Sequence, residues 1–379
     1  MYVCRKFAPL DDFLEIKLNE RREQDALRRL RLPEGKIDFC SNDYLGIVTN
    51  GLIGQAGAQE GVWASLAHGS TGSRLLAGNY PLLEKTEREL AAFHQAEAGL
   101  IFNSGYDANV GVLSCVPQRG DTILYDQLSH ASIRDGIRLS FAQSFSFNHN
   151  DAGDLERRMK TVCGGAGRVF VVTESVFSMD GDLAPLEAMI RLCHTYGAHC
   201  ILDEAHGTGV IGKAGEGLAQ SLGLQGECLA RIHTFGKAVG CHGAIVLGSE
   251  RLRQFLINFC RPLIYSTALP PVSVQAIADA YRLFPTMQAE RERLRQLIDR
   301  YAQSAIGYPR LNSDTPIQVV IVPGNAAVRE LAGRLQQAGL DIRPILYPTV
   351  PRGSERLRIV IHAFNTDAEI DLLTGLLRK

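Results

Sequence analysis

The chain has 379 residues, 45% of them hydrophobic and 21% charged, with a net charge of −1 at pH 7. That length exceeds the usual single compact core, so one large and one small domain are expected. Near-neutral charge gives no electrostatic case for nucleic acid or an anionic membrane surface. The nine cysteines (Cys4, Cys40, Cys115, Cys163, Cys193, Cys200, Cys228, Cys241 and Cys260) are scattered with no CxxC spacing, as in a reduced cytoplasmic protein without disulfides or a metal site.

The first 22 residues carry acids early and lack an apolar run, so no secretory signal is read there, and nowhere do about 20 apolar residues run together. Residues 11–32 have helical periodicity and many charges, which predicts a surface helix ended by Pro33 and Gly35. A short strand at 36–40 then leads into the turn Ser41-Asn42-Asp43-Tyr44-Leu45-Gly46. From about residue 69 to 249 helical stretches such as 81–95 alternate with short apolar runs. The runs are 98–102, 122–125, 168–172, 199–202, 232–235 and 243–247. Continuous apolar strands separated by helices predict a mainly parallel sheet covered on both faces. Beyond Pro270-Pro271 comes a helical region whose charged part, 288–303, leads to a second domain. From about residue 315 the order is strand, helix, strand and terminal helix. The expected organisation is an N-terminal helix and strand segment (1–45), a large domain (46–285) and a small α/β domain (286–379).

In open α/β sheets ligands sit at the carboxyl ends of strands, and four groups of polar residues follow the apolar runs. The first is Asp203-Glu204-Ala205-His206-Gly207-Thr208-Gly209. Two decoys overlap it: Gly207 to Gly212 fits a dinucleotide-binding glycine pattern, and Gly207 to Lys213 approaches a phosphate loop until Ala214 replaces the expected hydroxyl. Both need a helix next, and Ala214-Gly215-Glu216-Gly217 is too glycine-rich to start one. The second group is Thr234-Phe235-Gly236-Lys237, where desolvation would lower the lysine's pKa. Alone, Lys237 reads as a surface lysine. Beside Asp203 it points to pyridoxal phosphate, whose chemistry needs a lysine for the aldehyde and an acid on the pyridine nitrogen. The third, Asn103-Ser104-Gly105-Tyr106-Asp107-Ala108-Asn109, is a strand end entering a helix, suited to a phosphate on backbone N–H groups and, taken alone, equally to an ordinary N-capped turn; Ser266-Thr267 could reach the same phosphate from a partner subunit. The fourth, Ser129-His130-Ala131-Ser132, offers a histidine that could stack on a flat ring and shuttle protons near neutral pH, against the default reading of a capping or core histidine.

Together with His68-Gly69-Ser70-Thr71-Gly72-Ser73-Arg74-Leu75, Thr173-Glu174-Ser175-Val176-Phe177-Ser178-Met179-Asp180-Gly181-Asp182, Tyr265-Ser266-Thr267-Ala268-Leu269-Pro270-Pro271 and Arg356-Leu357-Arg358-Ile359, these motifs carry a resemblance over essentially the whole chain. The sequence resembles the α-oxoamine synthases, which are fold-type I pyridoxal phosphate enzymes built on a mainly parallel sheet with a small α/β C-terminal domain. The resemblance implies that Lys237 carries the cofactor and later moves protons. Asp203 pairs with the pyridine nitrogen, His206 with the ring oxygen, and His130 stacks on the ring. Glu174 and Ser178 shape its surroundings. Ser104, Gly105, Tyr106 and Thr234 hold the phosphate, with Ser266 and Thr267 contributing across a homodimer interface. Arg358 grips the amino acid carboxylate, and Asn42, Ser73 and Thr349 line the substrate side.

The family condenses an amino acid with an acyl thioester of coenzyme A or a carrier protein and releases carbon dioxide. Asp25-Ala26-Leu27-Arg28-Arg29 and the form around Ser73 are most similar to the branch that joins L-alanine to a pimeloyl thioester in biotin synthesis. There Arg28 would meet the far end of the acyl chain, against the plain alternative of a solvated helix residue. Two departures bear on this: Thr71 stands where many relatives have glycine, and Tyr347 where many have arginine, with Arg343 four residues earlier. Sister activities using glycine, serine or other thioesters (glycine acetyltransferase, serine palmitoyltransferase, 5-aminolevulinate synthase) are the nearest alternative. A non-catalytic subunit is the remote one, because Lys237, Asp203 and His130 are all present.

Overall fold

The computed structural model describes residues 10–30, 32–33, 35–53 and 62–378; Cys4 and the first nine residues lie outside them. The opening helix α1 spans Leu10–Glu23 and buries none of its residues. It is a surface helix as expected, but it ends well before residue 32. Asp25 adopts φ +51°, Asp25 N–H donates to Arg22 O at 3.0 Å and Ala26 N–H to Arg21 O at 2.8 Å. This pair of reversed bonds closes a helix end, usually around glycine; here an aspartate takes the left-handed position, which hides the stop from a search for Gly and Pro. Arg28 therefore lies outside the helix.

The large sheet consists, among the described residues, of β2 (Ala98–Phe102), β3 (Thr122–Asp126), β4 (Gln143–Phe147), β5 (Val169–Glu174), β6 (His199–Asp203), β7 (Cys228–Thr234) and β8 (Ala244–Gly248). Their order is β2-β8-β7-β6-β5-β3-β4. β8 is the one strand of this sheet that runs opposite to the others, pairing antiparallel with both β2 and β7. Every residue of β2 and β5 is buried, because helices cover both faces, and three apolar cores draw on the sheet, one of them through Ile101, Ile245 and Leu247. The edge strand β4, Gln-Ser-Phe-Ser-Phe, is mostly exposed. Its polar alternation is the reason an apolar-run search passes over it.

The C-terminal part holds a three-stranded antiparallel sheet, β11-β12-β9, of Arg343–Ile345, Arg356–Val360 and Ile317–Ile321. The single second strand expected there is in fact three short strands. The first, β10 (Leu340–Asp341), pairs in parallel with β1 (Ile37–Asp38). Phe39 O accepts Val360 N–H at 2.9 Å and Tyr44 O accepts Ala363 N–H at 2.8 Å. Residues 37–44 are thus laid along the C-terminal part, which carries Asn42 and Tyr44 to Arg358. No described helix is long and apolar enough to cross a membrane.

Candidate active site

The parallel strands β3, β5, β6 and β7 end on one side of the sheet at Asp126, Glu174, Asp203 and Thr234. Glu174 and Asp203 are register partners on neighbouring strands. Buried among them, Glu174 is pushed well above the usual carboxylate range, first by burial and then by the Asp203 charge. Its Oε1 accepts the His130 backbone N–H at 2.6 Å. Asp203 is buried, with Oδ2 accepting from Asn109 Nδ2 at 2.6 Å and Oδ1 from Ala205 N–H at 2.8 Å.

Lys237 lies three residues beyond β7 in the tight loop to β8, where Gly240 N–H donates to Lys237 O at 2.8 Å. Burial lowers its amine to about 8, against the opposing pull of Asp203 and Glu174. Such an amine spends part of its time unprotonated near neutral pH, as a nucleophile or base requires. His206 is buried, its Nδ1 2.6 Å from the Tyr44 hydroxyl. Burial, then the charges of Lys237 and Arg358, hold its pKa well below the usual value. His130 caps helix α4 (Ala131–Leu139, numbering the helices Pro81–Phe93 and Gly105–Cys115 as α2 and α3), with Nδ1 2.7 Å from Ser132 Oγ. The residue keeps access to solvent, and desolvation by the protein packed around it lowers its pKa, with the Lys237 charge acting in the same direction.

The decoy readings of Gly207 to Lys213 do not survive: residues 204–217 form turns, and the next helix is the four-residue Leu218–Ser221. The glycine there serves packing. A Cβ at Gly207 would meet Glu204 Oε2 at 2.4 Å and Ser175 Oγ at 2.9 Å.

At the start of α3 Ser104 Oγ accepts the Asp107 N–H at 3.0 Å, and Gly105 and Tyr106 N–H make no bond among the described residues. A Cβ at Gly105 would lie 3.4 Å from Thr234 Oγ1, so the glycine keeps a cradle open between the helix end and β7. The Tyr106 side chain turns outward to Asp135 Oδ2 at 2.6 Å. Thr267, exposed, bridges to Ser73, and its carbonyl accepts from Asn103 Nδ2 at 2.9 Å; Ser266 beside it is half-buried.

On the opposite wall Arg358 donates through Nε to Ser178 O at 2.6 Å and through Nη2 to Asn42 Oδ1 at 3.0 Å. Arg28, on the exposed stretch after α1, donates to Thr349 Oγ1 at 3.1 Å, bringing together two residues 321 positions apart. Arg343 instead pairs with Asp341 at 2.7 Å, and Tyr347 lies under the Arg352 guanidinium, 4.7 Å from the ring centre. Sequence reasoning did not single out Asn109 or Tyr44. Asn109 stands one helical turn after Gly105, on the same face as the cradle, and that spacing was the available signal.

The donor set fits pyridoxal phosphate: a lysine with a lowered pKa, a buried fixed carboxylate facing it, a histidine with access to solvent and a helix N-terminus kept open by glycine. Residues 34–375 match the class I and II aminotransferase family. The 8-amino-7-oxononanoate synthases of Cellvibrio japonicus and Lysinibacillus sphaericus are 39% and 37% identical, covering 97% and 98% of this chain and 95% and 98% of their own. Among solved structures, a serine palmitoyltransferase from S. paucimobilis with bound PLP–myriocin aldimine is similar at 28% identity, covering 98% of both chains with a TM-score of 0.86. The 8-amino-7-oxononanoate synthase of Francisella tularensis is similar at 27% identity, covering 91% of this chain and 97% of its own with a TM-score of 0.74. The chain belongs to the class I and II aminotransferase family and, within it, to the α-oxoamine synthases.

Proposed function

We propose that the protein is a pyridoxal 5′-phosphate enzyme that condenses L-alanine with a pimeloyl thioester to give 8-amino-7-oxononanoate, carbon dioxide and the free thiol carrier, as in biotin synthesis. The observation that carries this is Lys237, its amine near 8, set against the doubly anchored Asp203. The similarity to 8-amino-7-oxononanoate synthases along nearly the full chain supports the choice of substrates.

Pyridoxal phosphate, when bound, supplies an aldehyde for an amine and a ring that takes up electrons released at the amino acid's α-carbon. In this reading Asp203 would keep the proton on the pyridine nitrogen of the bound cofactor. Gly105 and Tyr106 N–H, the Ser104-capped helix end and Thr234 hold the phosphate, joined by Ser266 and Thr267 across a homodimer interface. His130 would pack against the ring, His206 would serve the ring oxygen, and Glu174 and Ser178 would shape the surroundings of the bound cofactor. Arg358 and Asn42 hold the alanine carboxylate, a bidentate task suited to a guanidinium, and Ser73, which bridges to Thr267, lines the substrate side. Lys237 Nζ takes the α-proton and later returns one. The alanine α-carbon bonds to the thioester carbonyl carbon, the thiol leaves with a proton, and the carboxylate departs as carbon dioxide. Arg28 and Thr349 receive the far end of the acyl chain, and coenzyme A or acyl carrier protein delivers it, in a cytoplasmic homodimer.

Borohydride treatment of the purified protein followed by peptide mapping tests the cofactor half: the label belongs on Lys237, and a label elsewhere overturns it. Thiol release with alanine, glycine and serine against pimeloyl and acetyl thioesters tests the other half. Glycine with acetyl-coenzyme A outpacing alanine with pimeloyl-coenzyme A would move the protein to a sister activity.

A further inference from the structure

Tyr44 is fully buried. Its hydroxyl lies 2.6 Å from His206 Nδ1 and 3.2 Å from Asn42 Oδ1. Burial pushes the phenol up to about 12, and the Arg358 guanidinium, which faces the same hydroxyl, opposes that push.

A phenol has one proton to give. A guanidinium has only donors, so the Tyr44 oxygen accepts on that side. The contact to Asn42 Oδ1 is longer than the roughly 2.5–3.0 Å of an O–H···O bond, and that oxygen already takes Arg358 Nη2 at 3.0 Å. The short contact is the one to Nδ1, so the phenol proton points there. His206 is neutral, because burial and the surrounding cations oppose its protonation. With Nδ1 accepting, its single proton sits on Nε2.

We propose that Tyr44 is a positioning residue that fixes His206 as the Nε2–H tautomer, so that the histidine turns a donor towards the cofactor's ring oxygen. The proposal rests on the reading of His206 as the partner of that oxygen. It deepens that reading by coupling the same hydroxyl to Arg358, which grips the substrate carboxylate: one side chain serves both ends of the site. Without the phenol the two tautomers interconvert, and a bare Nε2 lone pair opposes the anionic oxygen.

The test is nitrogen NMR of protein labelled with 15N-histidine, cofactor-free and loaded, with His206→Asn assigning the signal. Wild type should show a pyrrole-type Nε2 and a pyridine-type Nδ1 in both forms, and Tyr44→Phe should show a mixture or the reversed pattern. A proton on Nδ1 of the wild type overturns the proposal, and this wild-type reading does not require Tyr44→Phe to fold. In loaded protein, the pH midpoint of the cofactor's visible absorbance should rise by about one unit in Tyr44→Phe, a tenfold change in proton affinity. A changed tautomer with an unmoved midpoint would instead overturn the ring-oxygen reading of His206.

Discussion

Asn109 Nδ2 donates to Asp203 Oδ2 over 2.6 Å, tying a helix face to a strand end 94 residues later. With Ala205 N–H on the other oxygen, the carboxylate is held at both ends and cannot swing away from the site. Asp203→Asn keeps the size and removes the charge. The expected result is retained cofactor absorbance with kcat/KM for the condensation lower by about 100-fold or more, the scale of losing a preorganised charge in a dry site. A loss under tenfold would show that this acid does not hold a proton on the cofactor.

Arg358→Lys removes the fork that spans Ser178 O and Asn42 Oδ1. A lysine offers a point charge and no bidentate geometry. KM for alanine should rise by roughly 10–100-fold, the worth of one charge-assisted hydrogen bond, while KM for the thioester stays within a factor of about three.

Arg28→Ala should do the converse. KM for the pimeloyl thioester rises by about tenfold, and KM for alanine is unchanged. Equal behaviour of the variant and wild type with pimeloyl-coenzyme A would return Arg28 to the status of a solvated residue bonded to Thr349.

His149 links two acids, with Nδ1 2.9 Å from Asp126 and Nε2 2.8 Å from Asp182. Burial pulls its pKa down, but the two carboxylates outweigh it and raise it from 6.5 to about 10. The folded protein binds this proton more tightly than the unfolded chain. Its stabilisation is therefore complete below about pH 6.5 and fades as pH rises towards 10. In urea titrations across that window, His149→Gln should flatten the decline by roughly 1–2 kcal/mol, a partial value because the ring still touches solvent.

Thr71 has φ +58°, a left-handed backbone that costs a β-branched residue about 1–2 kcal/mol. Glycine takes that angle freely but loses roughly 0.5–1 kcal/mol of chain entropy. Thr71→Gly should stabilise by about 0.5–1 kcal/mol in chemical denaturation, without changing kcat.

The strands at 98–102, 122–126 and 199–203 are legible to within a residue, because a strand buried on both faces must be apolar throughout. The polar edge strand β4 escapes that rule. So does the end of α1, where Asp25 does what glycine usually does. Lys237, Asp203, His130 and His206 announce themselves as reactive types following apolar runs. Asn109 and Tyr44 do not, since their role is to orient another side chain, and a hydrogen bond across 94 or 162 positions leaves no local pattern.

The residues alone determined a mainly parallel α/β sheet with chemistry at its carboxyl edge, since burial on two faces and the need for polar groups at strand ends are both written locally. Tertiary structure decided the rest: that residues 37–44 lie along the C-terminal part, that Asn42 meets Arg358, and that Arg28 meets Thr349. Those meetings depend on how distant segments pack, and packing energy is a property of pairs that no single stretch of chain contains.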